Sequence, residues 1–296
     1  MVWTGRSVGG VWTVGSSTAV IRLLGWRAVA IAAPLIAWLS LFCHARARNS
    51  LDAYWRLMRP QWTADRRRAV AWAHLTSFLR ILADRVLAYA HPESMDLRLE
   101  GPDGERLRAA VAQPGGCILL SAHVGNWELA GRLLGRLTAR RVHLVMIDAD
   151  SAGVRRTLGA VMGTAPALID PRRGFEAAFA IGRALADGDI VCMLGDRSLP
   201  GQPTGAADLL GRTAQLPSGP FLAAVSTGAL VLPCFLVRRA RCSYRLLVGS
   251  PWRADPGHDR HAAARCGVRW WAAALSAVVR RHPRQWHNFF DVWTRR

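Results

Sequence analysis

From Met95 to Arg281, short apolar runs alternate with stretches of helical periodicity, and this limits the fold more than any other feature. The runs at 96–100, 116–121, 142–147, 166–169, 189–194, 230–237 and 244–248 predict strands. Helices are predicted at 105–112, 127–139, 152–162, 174–186, 218–227 and 261–281. Parallel strands need crossover connections, and helical crossovers cover both faces of the sheet. The expected class is therefore α/β, with a mostly parallel central sheet flanked by helices. That domain is expected over 51–296, with helical periodicity from 51 to 90 ahead of the first strand.

One unit of the alternation carries chemistry. The run Cys117-Ile118-Leu119-Leu120 leads into Ser121-Ala122-His123-Val124-Gly125-Asn126-Trp127-Glu128, and a helical pattern leads out. His123 then stands at the carboxyl end of a buried strand, where sites in α/β sheets gather. Gly125 permits a tight bend, Asn126 suits a helix N-cap, and Glu128 falls in the first helical turn, where the dipole favours its charge. A neutral imidazole can take a hydroxyl proton near neutral pH, and does so better with a carboxylate on its other nitrogen. From residue types alone, a strand-end histidine with a helix-capping glutamate is the favoured reading, because one His and one Glu are a weak signal.

Composition removes several rivals. The 39 basic residues against 20 acidic ones are all arginine, so a Schiff-base lysine, a P-loop lysine and a Ser-Lys dyad are excluded. Neither HExxH, GxGxxG nor a CxxC pair occurs; no metal or cofactor is expected. The six cysteines fit reduced thiols. A net charge of +19 calls for an anionic partner. With 13 tryptophans and arginines spread along the chain, a membrane surface fits better than nucleic acid, which is not expected.

Residues 1–50 contain no acid and hold the uncharged run from Ala28 to Cys43. At 16 residues it falls short of the ~20 that span a bilayer comfortably, though it can be extended back through 21–27. A membrane-anchoring or interfacial helix is expected here, with a core helix as the alternative. Arg46 and Arg48 follow it, which places the remainder on the cytoplasmic face.

Two further groups stand near predicted strand ends. Arg172 and Arg173 follow Asp170-Pro171, and guanidinium forks suit a phosphate oxyanion; a solvated loop is the other reading. Asp196 and Arg197 follow Val191–Leu194, on the sheet edge expected for His123.

The block SAHVGNWE resembles the HX4(D/E) motif of the lysophospholipid acyltransferase superfamily. Its HxGNWE form resembles the branch of bacterial lipid A biosynthesis (lauroyl and myristoyl) acyltransferases and phosphatidylinositol mannoside acyltransferases. Arg172-Arg173-Gly174-Phe175, the string from Val191 to Ser198, Leu216-Pro217-Ser218-Gly219-Pro220 and the aromatic tail around Asn288-Phe289-Phe290 extend the likeness over nearly the whole chain. The resemblance implies an enzyme of a bacterial inner membrane's cytoplasmic face. It would move a fatty acyl chain from an acyl carrier protein or coenzyme A thioester to a hydroxyl of a membrane glycolipid or lipid A-like acceptor. His123 would be the base and Glu128 its orienting carboxylate. Asn126, Arg172, Arg173, Asp196 and Arg197 would bind substrate. Gly-Asp-Arg-Ser at 195–198 departs from the Asp-Gln-Asp or Asp-His-Asp strings of lipid A enzymes. A cationic, non-enzymatic lipid- or nucleic-acid-binding protein is the alternative.

Overall fold

Residues Cys117–Ser121 form strand β2, whose first four side chains are all buried. They point alternately to the two faces of the sheet, so an unbroken apolar run is what a central parallel strand requires. Ile118 and Leu120 join one core cluster and Cys117 and Leu119 the other. A computed structural model of the chain describes residues 28–99, 101–147, 166–255, 257, 259–290 and 292–293. The predicted helix at 152–162 and the extension through 21–27 lie outside these residues.

The elements follow the predicted alternation. Helices α1 (Ala28–Cys43), α2 (Ala45–Met58) and α3 (Ala64–Ala90) come first. Then come β1 (Asp96–Arg98), α4 (Gly101–Ala112), β2, α5 (Trp127–Leu137), β3 (Val142–Val145) and β4 (Ala167–Ile169). Next are α6 (Phe175–Ala186), β5 (Ile190–Leu194), β6 (Thr204–Leu209), β7 (Arg212–Pro217), α7 (Gly219–Thr227), β8 (Leu230–Ala240), β9 (Ser243–Val248) and α8 (Arg260–Arg281). The seven-stranded sheet runs β1-β9-β8-β2-β5-β3-β4, parallel at every pair except β8–β9. The α/β class with a mostly parallel central sheet is thus as expected.

Three features differ from the sequence reading. Strands β6 and β7 make a separate antiparallel hairpin where none was predicted. Its first strand, Thr-Gly-Ala-Ala-Asp-Leu, is too small and polar to announce itself, and it is held by packing on α8, where Gly205 faces Val268. Strand β8 runs three residues past the predicted end, to Ala240, because β9 pairs with Arg238 and Ala240 across a register shift at Arg239. The expected boundary at 50/51 falls inside α2.

Helix α1 turns through 100° into α2, and among the described residues no single helix is long and apolar enough to cross a membrane. Val29 and Ala33 of α1 pack on Ala83 and Val86 of α3. The opposite face exposes Ile31, Leu35, Trp38, Leu39 and Phe42.

Candidate active site

Strands β2 and β5 are paired in register up to Ser121 and Leu194. The Gly195 N–H continues the ladder to the Ser121 carbonyl at 2.8 Å. The residues after each strand therefore emerge side by side, which places His123 against Asp196. Gly195 is needed there: a Cβ would lie 2.9 Å from the Trp271 indole nitrogen.

After His123 the chain must reverse into α5 within four residues. Gly125 makes the bend at φ +64°, and a Cβ on it would lie 2.0 Å from the Leu236 carbonyl oxygen. That approach lets the Asn126 N–H donate to the same carbonyl at 2.9 Å. The turn is thereby fastened to β8.

His123 and Asp196 make the central contact. Imidazole Nδ1 lies 2.8 Å from Asp196 Oδ1, and the His123 backbone N–H donates to Oδ2 at 3.1 Å. A carboxylate can only accept, so Nδ1 carries the proton and Nε2 keeps its lone pair. Asp196 Oδ2 also accepts the Trp286 indole N–H at 3.0 Å. The Asp196 side chain is wholly buried, that of His123 a quarter exposed. Burial would raise the Asp196 carboxyl, but His123, Arg197 and the indole hold it well below the usual range. Burial lowers His123 below its ordinary value; Asp196 opposes that shift and Arg197 adds to it.

The sequence reading put Glu128 on the imidazole. The structure puts Asp196 on Nδ1, while Glu128 accepts from Arg85 of α3 at 2.5 Å. Glu128 is close enough to favour the imidazolium through space. A carboxylate in the first turn of α5 sits on a different element from the strand end, whereas Asp196 follows the strand next to it in the sheet. Asn126 occupies the N-cap position, but it is buried and makes no side-chain cap. Arg197 is drawn inward: Nη2 donates to the His287 carbonyl at 2.7 Å and the guanidinium lies 5.1 Å from the Phe290 ring centroid.

Arg172 and Arg173 are not brought to His123. They follow edge strand β4, three strands from β2, or about 14 Å at the usual strand spacing. Arg172 is clasped by Asp170, with Nη2–Oδ2 at 2.5 Å; Arg173 is exposed and faces Glu176 at 3.7 Å.

An apolar cavity of about 690 Å³, counting its opening to solvent, lies between the sheet and α5. Ser121, Trp127 and Glu128 flank it beside the His123 turn, and Leu107, Leu134 and Leu246 also line it. Cys192 and Cys234 also line it. Burial pushes the Cys192 thiol up to about 12 and Cys234 well above its ordinary value, so both are protonated and inert. No group of three or more His, Cys, Asp or Glu among the described residues could hold a metal.

The sequence model of the bacterial lipid A biosynthesis acyltransferases matches residues 6–295. The chain belongs to that family. It is also similar to the phosphatidylinositol mannoside acyltransferases of Mycobacterium tuberculosis strains H37Rv and CDC 1551, at 29% identity over 203 residues in each case. The match takes in 64% of this chain and 58% of each relative. Three residues around the His123–Glu128 turn were not picked out from sequence: Arg85, which pairs with Glu128, Trp286, which bonds Asp196, and His74, which holds the Trp286 carbonyl. Trp286 sits in an aromatic tail that reads equally as lipid contact or core. Only the fold shows that its N–H meets Asp196.

Proposed function

We propose that this protein is a membrane-associated O-acyltransferase. It moves a fatty acyl chain from an acyl carrier protein or coenzyme A thioester to a hydroxyl of a glycolipid or phospholipid-like acceptor. The observation that carries the reading is the pinned imidazole: Nδ1 is held on a buried carboxylate, next to the mouth of an apolar cavity.

The steps follow from that geometry. Nε2 of His123 removes the acceptor hydroxyl proton as the oxygen attacks the thioester carbonyl, and Asp196 stabilises the imidazolium. The tetrahedral intermediate collapses, the C–S bond breaks, and the proton passes from His123 to the leaving thiolate. No acyl-enzyme forms, because the substrate hydroxyl is itself the nucleophile. The acyl chain lies in the apolar cavity, whose size falls in the range of small-molecule sites. Glu128 supports the site from the cavity wall and closes it through Arg85. The mannoside acyltransferases make a mannosylated inositol phospholipid the first acceptor to try.

Helix α1 lays its apolar face on the cytoplasmic surface of the membrane, with Arg46 and Arg48 at the head groups. The deciding experiment incubates the purified chain with an acyl thioester and phosphatidylinositol mannosides, then with lipid A precursors, and reads acylated products by mass spectrometry. Product that disappears in His123→Ala supports the reading. No product from any thioester donor and hydroxyl lipid overturns it.

A further inference from the structure

The segment Pro283–Phe290 passes behind the catalytic turn and is bonded to it at each step. The Gly125 N–H donates to the Gln285 carbonyl at 2.9 Å, and the His287 N–H to the His123 carbonyl at 2.7 Å. Val124 and Trp286 form an antiparallel bridge between these two bonds. The far side of the segment is fixed as well. Tyr54 donates its hydroxyl proton to the Pro283 carbonyl at 2.8 Å, and His74 Nε2 lies 3.0 Å from the Trp286 carbonyl. The Gln285 side chain accepts from the Arg238 N–H at 2.8 Å and donates to the Arg238 carbonyl at 2.9 Å. The result is an indole with a single orientation: Trp286 is 1% exposed and its ring packs edge-on to Tyr54 and Trp293.

That orientation aims the Trp286 N–H at Asp196 Oδ2, the oxygen that does not touch the imidazole. We propose that Trp286 is a positioning residue for acyl transfer. Its indole N–H, the side-chain donor that joins the His123 backbone N–H on Oδ2, locks the Asp196 carboxylate in the rotation that keeps Oδ1 on His123 Nδ1, so that Nε2 faces the acceptor hydroxyl. The proposal rests on the His123–Asp196 mechanism given above. Carboxylates that rotate freely hold a base less well, and misplacement by a fraction of an ångström is costly in rate. Asp196 is wholly buried, so solvent does not replace a lost indole donor. The other charged or titratable groups facing the pair are Arg197, Glu128 from α5 and His287 from the same segment.

The test is Trp286→Phe in the full chain, which keeps an aromatic ring and removes the N–H. We expect kcat to fall about 10–100-fold, with KM for donor and acceptor within about twofold. The acid limb of the kcat profile moves to higher pH, because a carboxylate with fewer donors favours the imidazolium more strongly. In an Asp196→Asn background the same substitution costs almost nothing further, since its effect passes through Asp196. A folded Trp286→Phe protein with wild-type kcat and limb, or effects that simply multiply in the double variant, overturns the proposal. Should Trp286→Phe fail to fold, the wild-type and Asp196→Asn proteins are compared by NMR. The Trp286 indole proton must shift between them, and an unmoved resonance is equally fatal. Complete inactivity of the wild type with every thioester sinks the acyl-transfer reading instead, while the indole–carboxylate coupling stays measurable.

Discussion

Asp196 holds His123 at two points, with Oδ1 on the imidazole Nδ1 at 2.8 Å and Oδ2 on the backbone N–H at 3.1 Å. The first contact selects the tautomer and the second fixes the carboxylate against the strand end. Asp196→Asn keeps the shape but offers an amide N–H toward Nδ1, which selects the wrong tautomer. Acyl-transfer kcat is expected to drop by about 10³–10⁴-fold. Glu128→Gln leaves the Nδ1 contact intact, and its cost should stay near 10-fold. Equal losses in the two variants would show that the glutamate, not Asp196, governs the imidazole. Because burial lowers His123, the wild-type acid limb should lie below pH 6.5. Removing the negative charge of Asp196 should move that limb lower still.

Gly125 is where backbone geometry and chemistry meet. At φ +64° a side chain is strained before any clash, and the Cβ of an alanine would lie 2.0 Å from a backbone carbonyl oxygen. The neighbouring strand cannot yield as a flexible side chain could. Gly125→Ala should cost about 3 kcal/mol or more of stability, through the φ strain and the displaced Asn126–Leu236 bond. Thermal melting measures it. A variant within 1 °C of wild type would mean that the turn does not hold this shape in solution.

The cavity makes a prediction of a different kind. Ala130 lines it from α5, opposite residues of the sheet. Ala130→Leu adds three carbons to the wall, so long acyl donors should lose kcat/KM far more than short ones. A series of thioesters from eight to sixteen carbons reads the effect. A uniform loss across the series would place the acyl chain elsewhere.

The sheet was legible because its strands are buried on both faces and read as plain apolar runs; Cys117–Leu120 and Ile190–Leu194 needed no other signal. Their pairing was legible only as a shared edge, which is why Asp196 was expected near His123 but Glu128 was placed on the ring. Choosing between two carboxylates requires knowing which strand neighbours β2, and that is set by long-range order rather than by local pattern. Trp286 was hidden for the same reason: it lies 90 residues from the carboxylate it meets. The β6–β7 hairpin lacked a hydrophobic alternation strong enough to predict, since α8 supplies its stability from outside.

Three histidines around the site set how stability responds to acid. Burial lowers His74 to about 4, and burial, with the neighbouring His74, His123 and Arg197, takes His287 well below its ordinary value; His123 is lowered too. The unfolded chain therefore binds more protons than the folded one below about pH 6.5. Stability is full above that pH and is lost as the pH falls toward 4. The gap at His74 alone, from 6.5 to about 4, corresponds to about 3 kcal/mol. Asp196, held low, adds a further loss only below the ordinary carboxylate range. Denaturant titrations at pH 7, 6, 5 and 4.5 should show the midpoint dropping steadily. His74→Gln, which retains an N–H for the Trp286 carbonyl, should flatten that slope. A midpoint constant from pH 7 to 4.5 contradicts the neutral buried state of these rings.

Helix α1 gives the last prediction. Its inner residues Val29 and Ala33 are spent on α3, and the Trp72 indole N–H donates to the Pro34 carbonyl at 2.8 Å, so the helix is fastened to the domain along its length. Outward lie Ile31, Leu35, Trp38, Leu39 and Phe42, spaced to share one face, with Ile36 exposed at its margin. A helix held flat on a folded domain can enter the head-group boundary without crossing the bilayer. Full burial of side chains of this size is worth roughly 1.5–3 kcal/mol each, so a triple change at Leu35, Trp38 and Phe42 to serine should weaken vesicle binding by well over 10-fold. Co-sedimentation with anionic vesicles at 0.1 and 0.5 M salt separates the two contributions. The arginine contribution falls with salt, whereas the apolar one persists and is absent from the triple variant. Equal binding by the triple variant and the wild type in high salt would remove α1 as the membrane contact.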